Sequence, residues 1–461
     1  MLASVLLGTI AAPHDRPRSM LLGWQQQQQQ QSRYSGEIAW SVPDERAERE
    51  VAAMSDEAVD EVISRTLCVG TKRDIIRTYE GTSWKLLTQW RGTVLQNTML
   101  STVLAMALSA ATVTLIDTKG SWDLLRRFGP HWSVVADALS KLNNLEKMWQ
   151  YHLTFSTFVL TFFLGQAFSF WRNAYSLTRQ VQGRIQDLLL LLNVHAQRGP
   201  GSGGPYSGVT PEANAAIRQI ARHLSLCHAL FYAGIKCSAP SDTFTAHPLR
   251  VLLSERGLQA LVTRGILSTS EHAALRSSGL PVSRYYLVIL SWVSSRISHE
   301  ISLGMKRGGG YGGGPGALRG SAGFEQLVLE KCCALRGAMM SIPDELAARI
   351  PMAYVHFAQF LVDSLIATTP FALHSSMGPM AFLVTGLVTI FFRGLLELSK
   401  TFLDPVGSRR VSTKNFMADI QVDVLLGEIN AGARTWVKGV QELPFLTRRG
   451  APGAGSDAEP W

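Results

Sequence analysis

The sequence predicts an all-α membrane protein with four transmembrane helices per subunit and a large helical region on one side of the bilayer. Three observations predict it. Charged residues make up only 17% of the 461 and apolar residues 46%, and the apolar ones are gathered into runs. Four of those runs, about residues 92–116, 152–171, 353–373 and 380–398, are long enough to cross a hydrocarbon core roughly 30 Å thick. No period-two alternation is sustained anywhere, so nearly all of the chain is expected to be helix.

Residues 1–50 are read as a low-complexity, disordered N-terminal extension. Met1–Pro13 is apolar but lacks a basic n-region, which makes it a poor signal or targeting sequence, and a run of glutamines follows at Gln25–Gln31. Residues 51–89 are expected to form amphipathic helices outside the membrane. Ser55-Asp56-Glu57 has the character of a helix start, and Val59, Val62, Ile63 and Leu67 then form an apolar stripe.

The second span lies in Leu153–Tyr175, reading LTFSTFVLTFFLGQAFSFWRNAY. From Trp149 to Trp171 are 22 helical steps, about 33 Å, which matches a bilayer core. Thr154, Phe158 and Phe162 recur at i, i+4 and i+8 and so share one face. Periodicity alone favours ordinary lipid or core packing for rings on one face of a spanning helix, with the wall of a pore as the other reading. The first two spans are clean. The third carries His356 and Asp363, and the fourth carries Arg393 and Glu397 near its end.

Between the second and third spans, residues 172–350 form a basic helical insert. It holds nineteen Lys/Arg against ten Asp/Glu, an excess equal to the whole net charge of +9. The positive-inside bias places this insert on the cytoplasmic or stromal side, and four spans put both termini there too. Such a charge suits a solvated surface near anionic lipid, or a field that concentrates anions. No aromatic-basic platform for nucleic acid is present. Two glycine-rich breaks, Gly199–Gly208 and Gly308–Gly316, interrupt the insert, and the second is read as a flexible linker. The second lacks the Lys-Ser/Thr that a phosphate-cradling loop requires. Thr210-Pro211-Glu212 forms an N-cap followed by proline at the first helical position, opening a helix over Ala213–Tyr232. Further helices are expected at Ser270–Ser277 and at Arg284–Ile301, the latter read as buried. Residues 401–443 form a C-terminal segment, amphipathic from Met417 to Leu443, and residues 444–461 a Gly/Pro/Ala-rich disordered tail.

Cys68, Cys227, Cys237, Cys332 and Cys333 are odd in number, fit no zinc spacing and are read as reduced, structural thiols. The eleven histidines show no clustering of the kind an active site needs, so no catalytic residue, metal site or cofactor is expected. His356 and Asp363 share a helix face with Gln359 between them, which suits either a proton relay or pairing within the helix bundle.

Several short motifs, in order, resemble the bestrophin family of pentameric anion channels. Trp90-Arg91-Gly92-Thr93-Val94 looks like the family's W-R/K-G-S/T-hydrophobic opening to the first span. Phe158-Val159-Leu160, then Phe162, Trp171, Asn173 and Tyr175, is similar to its neck helix and R-W-W-N-x-Y exit, although Phe170 stands in place of the first Arg. Gly265–Leu275 with Leu280-Pro281 resembles the stretch before the internal aperture, and Ile350-Pro351-Met352-Ala353-Tyr354 the start of the third span. Leu403-Asp404-Pro405-Val406-Gly407 resembles the L/I-N/D-P-F-G after the fourth span. The resemblance covers about residues 75–440.

The resemblance implies a bestrophin-like homopentamer in contact with membrane lipids, with one axial pore for permeating anions and residues 90–400 as the channel region. Thr154, Phe158 and Phe162 would form the pore neck, with Thr154 where the family usually has an aliphatic residue. The internal aperture would lie within Tyr285–Ile301, with Trp292 and Val293 as candidates. Animal members carry an acidic, Ca²⁺-clasping run where this chain has Ser408-Arg409-Arg410-Val411-Ser412, so that clasp is expected to be missing. The function implied is passive transport of chloride, with bicarbonate or nitrate as further anions, through a multi-pass protein of the plasma or an organelle (chloroplast or thylakoid) membrane. The alternative is a proton-coupled secondary anion transporter using His356 and Asp363, against which stands the absence of any visible internal repeat.

Overall fold

The computed structural model describes residues 51–70, 74–76, 81–82, 84, 93–117, 145–201, 204–235, 248–305, 316–406 and 419–439. The N-terminal extension, Trp90-Arg91-Gly92, Cys237, most of the second glycine run, Ser408–Ser412 and the C-terminal tail lie outside the described residues.

Local sequence chemistry starts several helices outside the apolar bundle. Ser55 caps α1 (Asp56–Thr66), its Oγ accepting from the Ala58 N–H at 3.2 Å, with Asp56 and Glu57 in the positive first turn. Val59 and Ile63 of the expected stripe are buried, and Val62 and Leu67 pack partly against the core. Thr210 caps α4 (Pro211–Gly234) with Pro211 in the first turn. A short 3₁₀ segment at Pro248–Leu253 leads into α5 (Glu255–Thr263). Ser268 and Glu271 close a reciprocal capping box on α6 (Thr269–Ser277). α7 (Tyr285–Met305) is the expected buried helix, with Tyr286, Ile289, Val293 and Ile297 enclosed.

The apolar helices are α2 (Leu95–Asp117), α3 (Leu145–Val194), α9 (Met352–Met377) and α10 (Ala381–Phe402). α10 packs on α2, α3 and α9, and α9 on α3. Short side-chain hydrogen bonds fasten them: Ser109 Oγ to Thr385 Oγ1 at 3.2 Å between α2 and α10, and Trp149 Nε1 to Thr369 Oγ1 at 3.0 Å between α3 and α9. Lipid offers these groups no alternative partner, so such bonds hold spanning helices in register.

Three segments of described helix are each long and apolar enough to cross a membrane by themselves: Leu95–Thr114, a stretch within α3, and Gly378–Phe402. The expected third span lies within α9, which reaches that standard only when joined to α8 (Ala322–Ala347) across a 44° bend. The physical reason is the polar load on α9, where His356, Gln359, Asp363 and Ser364 interrupt the apolar run. The expected span 152–171 lies inside a longer helix. α3 does not stop at Trp171 but continues unbroken to Val194, 50 residues and about 75 Å in all, far more than a bilayer core. Its distal half buries Ile185, Leu188, Leu189 and Leu192 completely or nearly so, against α8 and α11 (Val422–Gly439). Each contributes roughly 1.5–3 kcal/mol relative to an exposed position.

The first glycine-rich break departs from the expectation that no strand is present. It folds into an antiparallel hairpin, β1 (Arg198–Gly201) and β2 (Gly204–Val209), and Ala196 bridges to Leu318 beside it. Backbone bonds Gln197 N to Ala317 O at 2.9 Å and Arg319 N to His195 O at 2.8 Å fasten it to the chain that follows α7. Strand pairing here uses backbone groups alone, so side-chain alternation gives no warning of it.

Candidate functional site

The proximal half of α3 buries one side and leaves the other bare. Leu160, Phe163, Ala167 and Ala174 point into the bundle at 3% exposure or less, while Phe158 is 71% and Phe162 54% exposed. Thr154 is exposed as well, its hydroxyl donating back to the Gln150 carbonyl at 3.0 Å. The three expected neck residues therefore line a face of α3 that the other described residues leave largely uncovered. They rise over eight residues, about 12 Å. Phe162 leans toward α9, its ring 6.5 Å from that of Tyr354 and nearly perpendicular to it, and Phe155 packs similarly on Phe357 at 6.4 Å. Phe158 stacks on no ring among the described residues.

Eighteen residues beyond Thr154, five full turns, the same face presents Arg172. Arg172 is exposed and makes no ion pair among the described residues. Between the two, Trp171 stacks on Phe168 at 5.9 Å and on Tyr175 at 6.0 Å, and Phe402 of α10 packs against it at 5.9 Å. This aromatic cluster stands where α3 leaves its apolar stretch, the place interfacial Trp and Tyr favour.

The charged residues of the third and fourth spans meet across helices. Arg393 of α10 pairs with Asp363 of α9 at 2.7 Å, and Gln359 donates to the same carboxylate at 2.5 Å. Lys400 donates to Gln359 at 2.5 Å and to Glu397 at 2.9 Å. Asp363 is thus paired within the bundle. His356 is exposed and takes no part in this network.

Of the two aperture candidates, Val293 is completely enclosed by its own subunit, whereas Trp292 is half-buried with its ring 6.0 Å from His223. Behind Trp292 lies a polar knot that sequence reasoning missed. Glu271 accepts from Arg222 Nη2 at 2.6 Å and from the Ser268 N–H at 2.8 Å, and lies 2.7 Å from His223 Nε2. Burial by itself would raise the Glu271 carboxyl, but those donors overcome it and hold the group down at about 2. Burial lowers His223 despite its carboxylate neighbour. The partners are 48 or more residues apart, and only the capping spacing Ser268–Glu271 signals any of it in sequence.

Among the described residues Cys68, Cys227, Cys332 and Cys333 are free, and no group of His, Cys, Asp or Glu is arranged to hold a metal ion.

No protein-family model matches the chain, and no curated protein is similar to it. Solved structures are. A leucine-to-threonine variant of a bacterial bestrophin homolog from Klebsiella pneumoniae aligns at 14% identity and a TM-score of 0.51, over 73% of this chain and 99% of that one. A second structure, described as a membrane protein, aligns at 14% identity and a TM-score of 0.51, over 74% of this chain and 98% of that one. The fold of this chain is bestrophin-like.

Proposed function

From that fold and the bare aromatic face of α3, we propose that the protein is an anion channel in which a ring of subunits, five by the sequence resemblance, surrounds one axial pore. Thr154, Phe158 and Phe162 form its neck. The observation that carries the reading is Phe158, a large apolar ring 71% exposed within the apolar stretch of α3, on the face opposite its packing against the other helices. In a ring of subunits that face turns to the axis. An aromatic ring has a positive edge, so rings presented edge-on tolerate a passing anion, and several flexible rings pack together and dewet the passage. Arg172, five turns below Thr154 on the same face, supplies a positive charge, unpaired among the described residues, that raises the local anion concentration. For the internal aperture, Trp292 remains the candidate, because the Val293 side chain faces inward.

The proton-coupled transporter is disfavoured by the pairing of Asp363 with Arg393, which occupies the carboxylate a relay would use. Gating by a Ca²⁺ clasp after the fourth span is not part of the proposal, since Arg409 and Arg410 stand where the carboxylates would be. Recording single channels from purified protein in a planar bilayer tests the reading. Unitary anion currents that ignore a pH gradient and need no micromolar Ca²⁺ are expected; pH-driven flux without unitary currents would sink it.

A further inference from the structure

We propose that a cavity between α4 and α11 binds an amphiphilic anion, a ligand with a carboxylate or phosphate head and one short apolar chain. This inference is independent of the pore. The cavity holds about 340 Å³, at the small end of the roughly 300–1,000 Å³ of ligand pockets. That suits a single chain and excludes a two-tailed lipid.

Two helices make its long walls. On α4, Arg218, Arg222, Ser225, Leu226 and Ala229 fall on one face; on α11, Asn430, Ala433, Arg434, Val437 and Lys438 do the same. Leu252, Leu261 and Ile266 close the third side. The floor is apolar and buried: Leu226, Leu252, Leu261 and Ala433 are at most 5% exposed. The rim is basic. Arg218, Arg434 and Lys438 are exposed and make no ion pair or hydrogen bond among the described residues. No acidic side chain lines the cavity among the described residues. Arg222 is the exception on the rim, since Glu271 and the Ile266 carbonyl already take its donors. Asn430 is likewise committed, its amide donating to the Thr66 carbonyl at 3.0 Å, which fixes α11 against the end of α1.

An apolar hollow alone would take any neutral hydrophobe, and a basic patch alone any anion. Three unpaired cations around one apolar floor select a ligand that carries both characters, with the chain on Leu252 and Ala433 and the head between α4 and α11.

The test uses the full-length protein in amphipol, titrated calorimetrically with decanoate, decyl phosphate, decanol and inorganic phosphate. One saturable site per chain is expected for decanoate, decyl phosphate or both, and these two arms distinguish carboxylate from phosphate sources. Decanol should bind about tenfold more weakly or worse, having lost a charge-assisted contact. Arg218→Glu with Arg434→Glu, both at exposed positions that leave folding intact, should weaken the anionic ligand by about tenfold or more and spare decanol. Ala433→Leu, which fills the floor, should abolish binding of all three amphiphiles. Equal binding of decanol and decanoate, indifference to the charge reversals, or tight binding of inorganic phosphate alone would each overturn the assignment.

Discussion

Arg393 Nη1 donates to Asp363 Oδ1 across 2.7 Å and so ties α10 to α9 within the apolar bundle. Both groups are partly exposed, at 33% and 45%, so the pair is screened relative to a fully buried one. Removing one partner still strands a charge in an apolar layer, where ionisable groups are expensive. Arg393→Leu should therefore lower thermal stability in detergent, and adding Asp363→Leu should recover part of the loss. A double-mutant cycle should show a coupling of about 1 kcal/mol. Additive effects would mean that the pair contributes nothing.

The same carboxylate separates the two transport readings. Asp363→Asn keeps the shape and removes the charge. Anion currents should persist unchanged in their response to a pH gradient; loss of a pH-coupled flux would restore the relay.

The neck makes a separate prediction. Phe158→Ala with Phe162→Ala should give a pore that leaks at rest and still prefers anions. Arg172→Glu should reduce anion conductance without closing the neck, because the charge lies about 15 Å beyond Phe162 along the helix. Normal gating after the double alanine change would place these rings in lipid instead.

His228 offers a test of stability against pH. It is completely buried on α4, neither ring nitrogen has a hydrogen-bond partner among the described residues, and its ring meets Tyr232 edge-on at 5.0 Å. Burial pushes it down to about 3 from an ordinary value near 6.5. The unfolded chain thus takes up a proton that the folded one refuses. The contribution is fully present above pH 6.5 and is lost as the pH falls toward 3. Between pH 7.5 and pH 4.5 the protein should lose about 2–3 kcal/mol through this residue. His228→Leu should remove that loss and stabilise the protein at pH 7.5 by about 1 kcal/mol, since a buried unpaired group disappears. Melting curves at the two pH values read both effects.

Gly257, in the first turn of α5, sits against backbone. A Cβ placed there would lie 1.8 Å from the Val251 carbonyl oxygen and 2.7 Å from its carbon, neither of which can swing aside. Gly257→Ala should destabilise by more than about 2 kcal/mol in chemical unfolding, through overpacking of the turn below Leu252. A neutral result would show that the 3₁₀ turn at Pro248–Leu253 yields easily.

Much of the fold was legible because it rests on local periodicity. The caps at Ser55 and Thr210, the buried character of α7 and the common face of Thr154, Phe158 and Phe162 each depend on residues within a few positions of one another. The hairpin at Arg198–Val209 was not legible, because glycine has no side chain to carry the alternation that marks a strand. Nor was the continuation of α3 past Trp171. Hydropathy falls there, whereas helical propensity and the new apolar face at Ile185–Leu192 do not.

By itself, then, the sequence determined which segments are apolar enough for lipid, where helices begin and which face of α3 is aromatic, since hydropathy and a 3.6-residue period are properties of neighbours along the chain. Only the tertiary structure decided that Asp363 meets Arg393, that Val293 faces inward while Phe158 does not, and that Arg218 and Arg434 share one apolar cavity. Those facts join residues from 30 to more than 200 positions apart, and no local pattern specifies which distant side chains the packing of helices will bring together.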